Sequence, residues 1–261
     1  LGTAVGTVNV NYQIPFTWIG AGLDPDWTTP ANWLGGVVPG PTDTIYFNDQ
    51  CGVNCSPNIT GPISVAGIRL NSVYTGTINQ PVATDMSSGA NGWIQRAGTF
   101  VGSDGNLYSG AGFQLAGGNF TSTSMSFTIA AGDVSISSPG LTTFNHNNGQ
   151  LNFTCGYSLT CKLNTNSQPL QNLKIAGYYS WFDLSASTIS VLGKLEIGDT
   201  FGAGYDSQTI NNGTIDLLGD LYVINTGYKG TAVIRLAGNA AGQTVYGLSG
   251  KYLPSLTIAA G

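Results

Sequence analysis

The chain has 261 residues, a formal net charge of −5 and only 8% charged side chains, against roughly a quarter in an ordinary globular domain. Its eight Lys and Arg are scattered without a basic stripe, which argues against a nucleic-acid partner, and no apolar run is long enough for a membrane-spanning helix. The 38 Gly and many small polar residues would suit a disordered chain, but 41% hydrophobic and 10% aromatic residues supply a buried core.

Residues 1–15 read as one strand, closed by Pro15. Val8, Val10, Tyr12 and Ile14 fall on one face, with Thr7, Asn9, Asn11 and Gln13 on the other, the alternation of a half-buried strand. The first residue is Leu and no signal peptide is visible, which reads as a processed, secreted chain. A one-sided apolar strand needs a groove to bury it, and the expectation is that it docks on a neighbouring subunit. Folding back on its own chain is the alternative.

Residues 16–62 have a different texture, with Trp18, Trp27 and Trp33 set among Pro, Gly and Asp and followed by Asp43-Thr-Ile-Tyr-Phe47. The three tryptophans suit a plug over the open end of a stacked array; a sugar-stacking platform is the functional alternative. Asp24, Asp26 and Asp43 lack the regular spacing of a calcium loop, so turn and cap duty is expected of them. The cysteines form two local pairs, Cys51/Cys55 and Cys155/Cys161, at spacings that suit no zinc finger and far from the single His146. Two short-loop disulfides in an oxidising compartment are expected.

From residue 63 to 261 the pattern is repetitive. Trp93-Ile-Gln-Arg-Ala-Gly-Thr-Phe100 is echoed twenty residues later by Phe113-Gln-Leu-Ala-Gly-Gly-Asn-Phe120. Phe127–Val134 and Thr143–Phe153 read as looser copies, and Gly193 to Gly213 is again twenty residues. Such self-similarity predicts an all-β parallel β-helix, a β-solenoid with an N-terminal strand and an aromatic cap region. Trp93, Phe100, Phe113, Phe120, Phe127, Phe144 and Phe153 are its expected interior.

The Trp-x-Gly opening, Asn-Trp, Val-Pro-Gly and Asp-Thr-x-x-Phe of residues 18–47, with the later Gly-x-Phe and Leu-x-Ile runs, resemble β-solenoid modules of large bacterial cell-surface, autotransporter-like proteins. The resemblance covers most of the chain. It implies a right-handed parallel β-helix on a cell surface and transfers no catalytic residue.

Parallel β-helices include polysaccharide-cleaving enzymes, which need clustered carboxylates. Asp183, Glu196, Asp199, Asp206, Asp216 and Asp220 are the densest acids, and Glu196 and Asp216, twenty apart, are candidates for neighbouring rungs. Solvated outward positions are the simpler expectation, and His146 reads as a surface turn residue. Five Asn-x-Ser/Thr sequons occur, at Asn54, Asn58, Asn119, Asn152 and Asn212. Asn119 and Asn152 each precede an inward Phe, so they are expected to point outward and accept sugar in a glycosylating organism.

The function expected from these residues is structural: an extracellular, cell-surface filament or assembly subunit, self-associating, without cofactor, metal or enzymatic activity. A surface adhesin binding glycans is the second reading and a polysaccharide-active enzyme the third.

Overall fold

A computed structural model describes residues 16–52, 54–198, 208–224, 228–238, 242–247 and 252–259. The N-terminal strand with Val8, Val10, Tyr12 and Ile14 lies outside the described residues, as do Asp199 and Asp206. The architecture is an all-β parallel β-solenoid of about nine turns. Among the described residues helix is confined to two short 3₁₀ turns, Pro30–Asn32 and Asp49–Cys51.

Three parallel ladders run along the coil. The first begins with Thr17–Trp18 and Thr44–Phe47 and continues through the second halves of Ile63–Leu70 and Met86–Gln95, then Phe113–Leu115, Val134–Ile136 and Thr160–Asn164. It goes on through the first halves of Trp181–Val191 and Thr209–Leu217, with a last bridge from Thr209 to Lys229. The second takes the first halves of Ile63–Leu70 and Met86–Gln95, then Leu107–Ser109, Ser126–Ile129, Gln150–Phe153, Asn172–Ile175, Leu195–Ile197, Leu221–Val223 and Val245–Tyr246. The third takes Thr77–Asn79, Thr99–Val101, Gly118–Thr121 and Thr142–Asn145, and its corner is taken up again, from the Leu170–Val191 bridge, by the second halves of Trp181–Val191 and Thr209–Leu217, then Val233–Leu236 and Ser255–Ile258.

Each ladder stacks like on like. Ile63, Met86, Leu107, Phe127, Leu151, Leu173, Leu195 and Leu221 occupy one column of the second ladder. Ile45, Ile68, Trp93, Phe113, Val134 and Leu163 form a column of the first. Ile78, Phe100, Phe120 and Phe144 form the column of the third. No single turn can bury its inward face; the turns above and below do so. The Phe100 and Phe120 rings stack at 4.9 Å, and Trp93 stands edge-on to Phe100 at 4.8 Å. Six of the seven expected interior aromatics are fully buried, and Phe144 is half-buried against the same core.

The twenty-residue echo of Trp93–Phe100 and Phe113–Phe120 is one full turn, with Trp93 paired to Phe113 and Phe100 to Phe120. The looser copies are a correction. Phe127 stacks between Leu107 and Leu151 on the second ladder, while Val134 is the residue above Phe113. The segments look alike because every corner of the coil is apolar strand, Gly or Asn, apolar strand; they belong to different corners. Gly193 and Gly213 are likewise not turn mates. Gly219 lies against the Gly193 carbonyl, where a Cβ would approach within 2.1 Å, and Gly213 pairs with Ser187. Thr44–Phe47 already pairs with Ile63–Leu70, so the ladders run back through the aromatic region of residues 16–62 without a break.

Candidate functional site

The first turn is closed by the three tryptophans. Trp33 stands edge-on to Trp18 at 5.1 Å and to Trp27 at 4.8 Å, and all three pack over Phe47. Both indole N–H groups that face the interior are satisfied: Trp18 Nε1 donates to the Asn54 carbonyl at 2.7 Å and Trp33 Nε1 to the Trp27 carbonyl at 2.8 Å. Buried Asn32 ties the loop together, donating to the Asp24 and Asp26 carbonyls and accepting from Gly22 N–H. The ladder edge itself is taken by an antiparallel bridge between Trp18 and Trp33. The rings are buried, so the stacking-platform alternative for Trp18, Trp27 and Trp33 is corrected: their faces are spent on each other.

Asp24, Asp26 and Asp43 hold turns, accepting from the N–H groups of Asp26, Thr28 and Gly40 respectively. Both disulfides are formed, Cys51–Cys55 with Cα atoms 4.7 Å apart and Cys155–Cys161 at 5.8 Å. The first lies beneath the cap, where buried Tyr74 donates its hydroxyl to the Cys55 carbonyl at 2.7 Å; burial pushes that phenol well above its ordinary range.

Glu196 and Asp216 do not face each other. Glu196 lies between Lys174 and Tyr222 on the second ladder, Asp216 between Ser190 and Arg235 on the third. The intervening turns are longer than twenty residues, so equal spacing in sequence lands on different faces. Glu196 is clamped by Lys174 at 2.5 Å and Lys194 at 2.9 Å. Partial burial pushes its carboxyl up, but the hydrogen bonds and charges of the two ammonium groups outweigh this and hold it below its ordinary value. Asp216 takes a two-pronged bond from Arg235, with Nε at 2.7 Å from Oδ1. Asp220 accepts from Thr244 N–H at 2.8 Å and Asp183 from Ser185 N–H at 2.8 Å. These carboxylates are therefore neutralised or used as turn caps. His146 Nδ1 accepts from Asn148 N–H at 3.0 Å, and burial lowers its pKa; it too holds a turn.

Asn119 is exposed on the outer face, one residue before buried Phe120. Asn152 also faces outward but is engaged, accepting from Gln150 at 2.6 Å and donating to Thr128 at 3.2 Å. Among the described residues no group of three or more His, Cys, Asp or Glu could hold a metal, and no helix is long and apolar enough to cross a membrane.

The last turn contrasts with the first. In the column Ile189, Ile215, Ile234, Leu256 the first three side chains are fully buried and Leu256 is 38% exposed. In the neighbouring column Val191, Leu217, Leu236, Ile258 the sequence ends on an Ile258 that is 83% exposed. The Ser255–Ile258 strand is paired on one side only among the described residues. Tyr246 and Tyr252 are exposed on the same end.

The tyrosines at the corner after the second ladder were not singled out by sequence reasoning. Tyr157 sits in the Cys155–Cys161 loop, and Tyr178 and Tyr179 occupy the same corner one turn later. The available signal was positional: Phe153 pairs with Ile175, so Tyr157 and Tyr179 each follow their strand by four residues.

Geometry and composition thus define a disulfide-bonded parallel β-solenoid whose first turn is covered by three tryptophans and whose last described strand is paired on one side. No protein-family model matches the chain, and neither a curated protein nor a solved structure was found to match it.

Proposed function

We propose that this chain is a non-enzymatic structural subunit of an extracellular, cell-surface assembly, joined end to end through its β-ladders. The observation that carries the reading is the inequality of the two ends. Trp18, Trp27 and Trp33 seal the first turn, whereas among the described residues nothing covers Leu256 and Ile258, whose columns are buried at Ile234 and at Leu217 and half-buried at Leu236. An unpaired strand with an apolar inner face is a template for one more strand. The occupant proposed is residues 1–14 of a second copy, whose alternation offers Val8, Val10, Tyr12 and Ile14 on one side. Because the donating and accepting surfaces differ, the contact repeats without closing and gives a filament.

The two disulfides support an oxidising, extracellular location, and the scarcity of charge suits in-register stacking, where like charges would lie one strand spacing apart. The resemblance of residues 18–47 to modules of bacterial surface proteins agrees with this placement.

Electron microscopy and sedimentation of the full chain beside a variant lacking residues 1–14 test it. The expected result is filaments from the full chain and folded monomers from the shortened one, since the cap from Phe16 onward is untouched. Filaments from the shortened chain, or a full chain that stays monomeric at high concentration, would overturn the reading.

A further inference from the structure

The outer face of the third ladder differs from the rest of the surface. One column carries Thr77, Thr99, Asn119 and Thr143, and a second, two residues along each strand, carries Asn79, Val101, Thr121 and Asn145. The aromatics of the same strands, Phe100, Phe120 and Phe144, point into the core. No charged side chain stands on these four strands; Arg96 and Asp104 lie in the corners on either side. The outer columns of the other ladders are built otherwise. The second brings Lys174, Glu196 and Tyr222 together, and the first places Tyr46 beside Arg69.

The polar groups on this face are unspent. Among the described residues no hydrogen bond engages the side chains of Thr77, Thr99, Thr121 or Thr143, nor those of Asn79 and Asn119. Asn145 alone is used, accepting from Asn147 N–H at 2.9 Å. The face is also rigid and flat. β-Branched Thr and Val have few χ1 choices on a strand, so little is lost by ordering them. The pairing runs through four strands without a register shift, and beneath it the Phe120 and Phe144 rings lie 4° from parallel.

The spacing decides what kind of partner fits. Neighbouring strands lie about 4.8 Å apart and residues two along a strand about 6.7 Å apart, so the outer side chains form a rectangular net. Water bonded tetrahedrally at about 2.75 Å repeats at about 4.5 Å between second neighbours and at about 7.3 Å along its stacking direction. The misfit is about 0.3 Å per strand and stays under about 1 Å across four strands, less than half a repeat. A protein partner is poorly served, because the net spans roughly 15 Å by 7 Å, far below the ~800 Å² per side of a stable interface. A charged polymer finds no counter-charge, and a sugar ring that stacks on aromatic faces finds none presented. An ordered water lattice needs what is here: a rigid, uncharged net of hydroxyls, amides and methyls whose hydrogen bonds are still to be made.

We propose that the outer face of the third ladder, from Thr77 to Asn145, binds the surface of ice, whether or not the chain polymerises. The test is microscopy of single ice crystals and of ice recrystallisation in solutions of the full chain. The protein is produced without glycosylation, since a glycan on Asn119 would cover the face. Faceted crystals and slowed recrystallisation are expected. Thr121→Lys, in the middle of the net, should need roughly tenfold more protein for the same inhibition. Thr121→Ser should retain more activity than Thr121→Lys. Ser64→Lys, at an exposed outward position on the second ladder, should match the parent chain. Melting curves confirm that Thr121→Lys keeps the fold; Asn119→Lys, at an exposed position of the same net, reads the face a second time. Unshaped crystals with recrystallisation unslowed at any concentration would overturn the proposal. So would activity unchanged in both Thr121→Lys and Asn119→Lys, or an equal loss in Ser64→Lys. Adsorption to crystalline cellulose or chitin, or a dimer that Thr121→Lys dissolves, in a chain without effect on ice would also overturn it, and would assign the face to a polysaccharide or to a second copy.

Discussion

The first and last described turns of this solenoid solve the edge of the coil differently. At the start, three indole rings cover the column headed by Trp18 and Phe47, and an antiparallel bridge consumes the strand edge. At the end, Leu256 and Ile258 sit in columns whose earlier members are buried or, at Leu236, half-buried, and nothing among the described residues lies over them. A coil of stacked turns has no intrinsic stop, because each turn exposes what the next would bury. Termination has to be written in with bulky, differently folded residues, and among the described residues these lie over the first turn.

The largest expected effect breaks the closed end. Trp33 is buried, touches Trp18, Trp27 and Phe47, and donates to the Trp27 carbonyl. Trp33→Ala should destabilise the protein by about 3–5 kcal/mol in denaturant titrations. A loss under about 1 kcal/mol would mean that the cap is an ornament on a coil that does not need covering.

Next come the crosslinks, one beneath the cap and one at a mid-coil corner. Their closed loops are short, with sequence separations of 4 and 6, so the chain-entropy gain is about 2 kcal/mol or less for each. Replacing Cys155 and Cys161 by Ala should lower stability by about that much, read by thermal melting, and an unchanged melting curve would show that the crosslink constrains nothing in the unfolded chain.

How far these features were legible differs along the chain. The turn from Trp93 to Phe113 was readable because that coil has three short strands and a constant twenty-residue length, so the aromatics recur in phase. Beyond Phe120 the turns lengthen: Phe127 to Leu151 is 24 residues and Leu195 to Leu221 is 26. Insertions enter at corners, where a loop of any length still returns the chain to the next strand position. A fixed period therefore aligned Glu196 with Asp216 and Gly193 with Gly213, which the fold places on different faces. The cap tryptophans were legible as a break in texture. The cluster of Tyr157, Tyr178 and Tyr179 was not, because aromatics in polar corners carry no periodic signal until the register of Phe153 with Ile175 is known.

A smaller effect concerns acid. Glu196 is held below its ordinary carboxylate value by Lys174 and Lys194. Its contribution is present in full above the unfolded carboxyl's range, near 4.3, and is lost as pH falls through the lowered folded value. Glu196→Gln should therefore trail the wild type slightly at neutral pH, by under about 1 kcal/mol for so accessible a cluster. The difference should shrink between about pH 5 and pH 3. A gap that widens on acidification would reverse the sign and show the lysines, not the carboxylate, to be the strained partners.

The smallest effect on stability is expected at the open end, and it is the most informative. Ile258 is 83% exposed, so Ile258→Asp removes almost no buried surface and should change the unfolding free energy by no more than about 0.5 kcal/mol. In the assembly the same side chain would lie under the strand donated by the next subunit, where an unpaired carboxylate is not tolerated. Sedimentation of the full chain carrying Ile258→Asp should then show folded monomers, as the loss of residues 1–14 does from the other side of the joint. Mixing the two blocked variants sharpens the point. Each retains the half that the other lacks, so they should pair once, through the intact strand of Ile258→Asp and the intact acceptor edge of the shortened chain, and grow no further. Dimers from the mixture and monomers from each variant alone would fix the polarity of the joint, while filaments from Ile258→Asp would show that the uncovered turn is not where subunits meet.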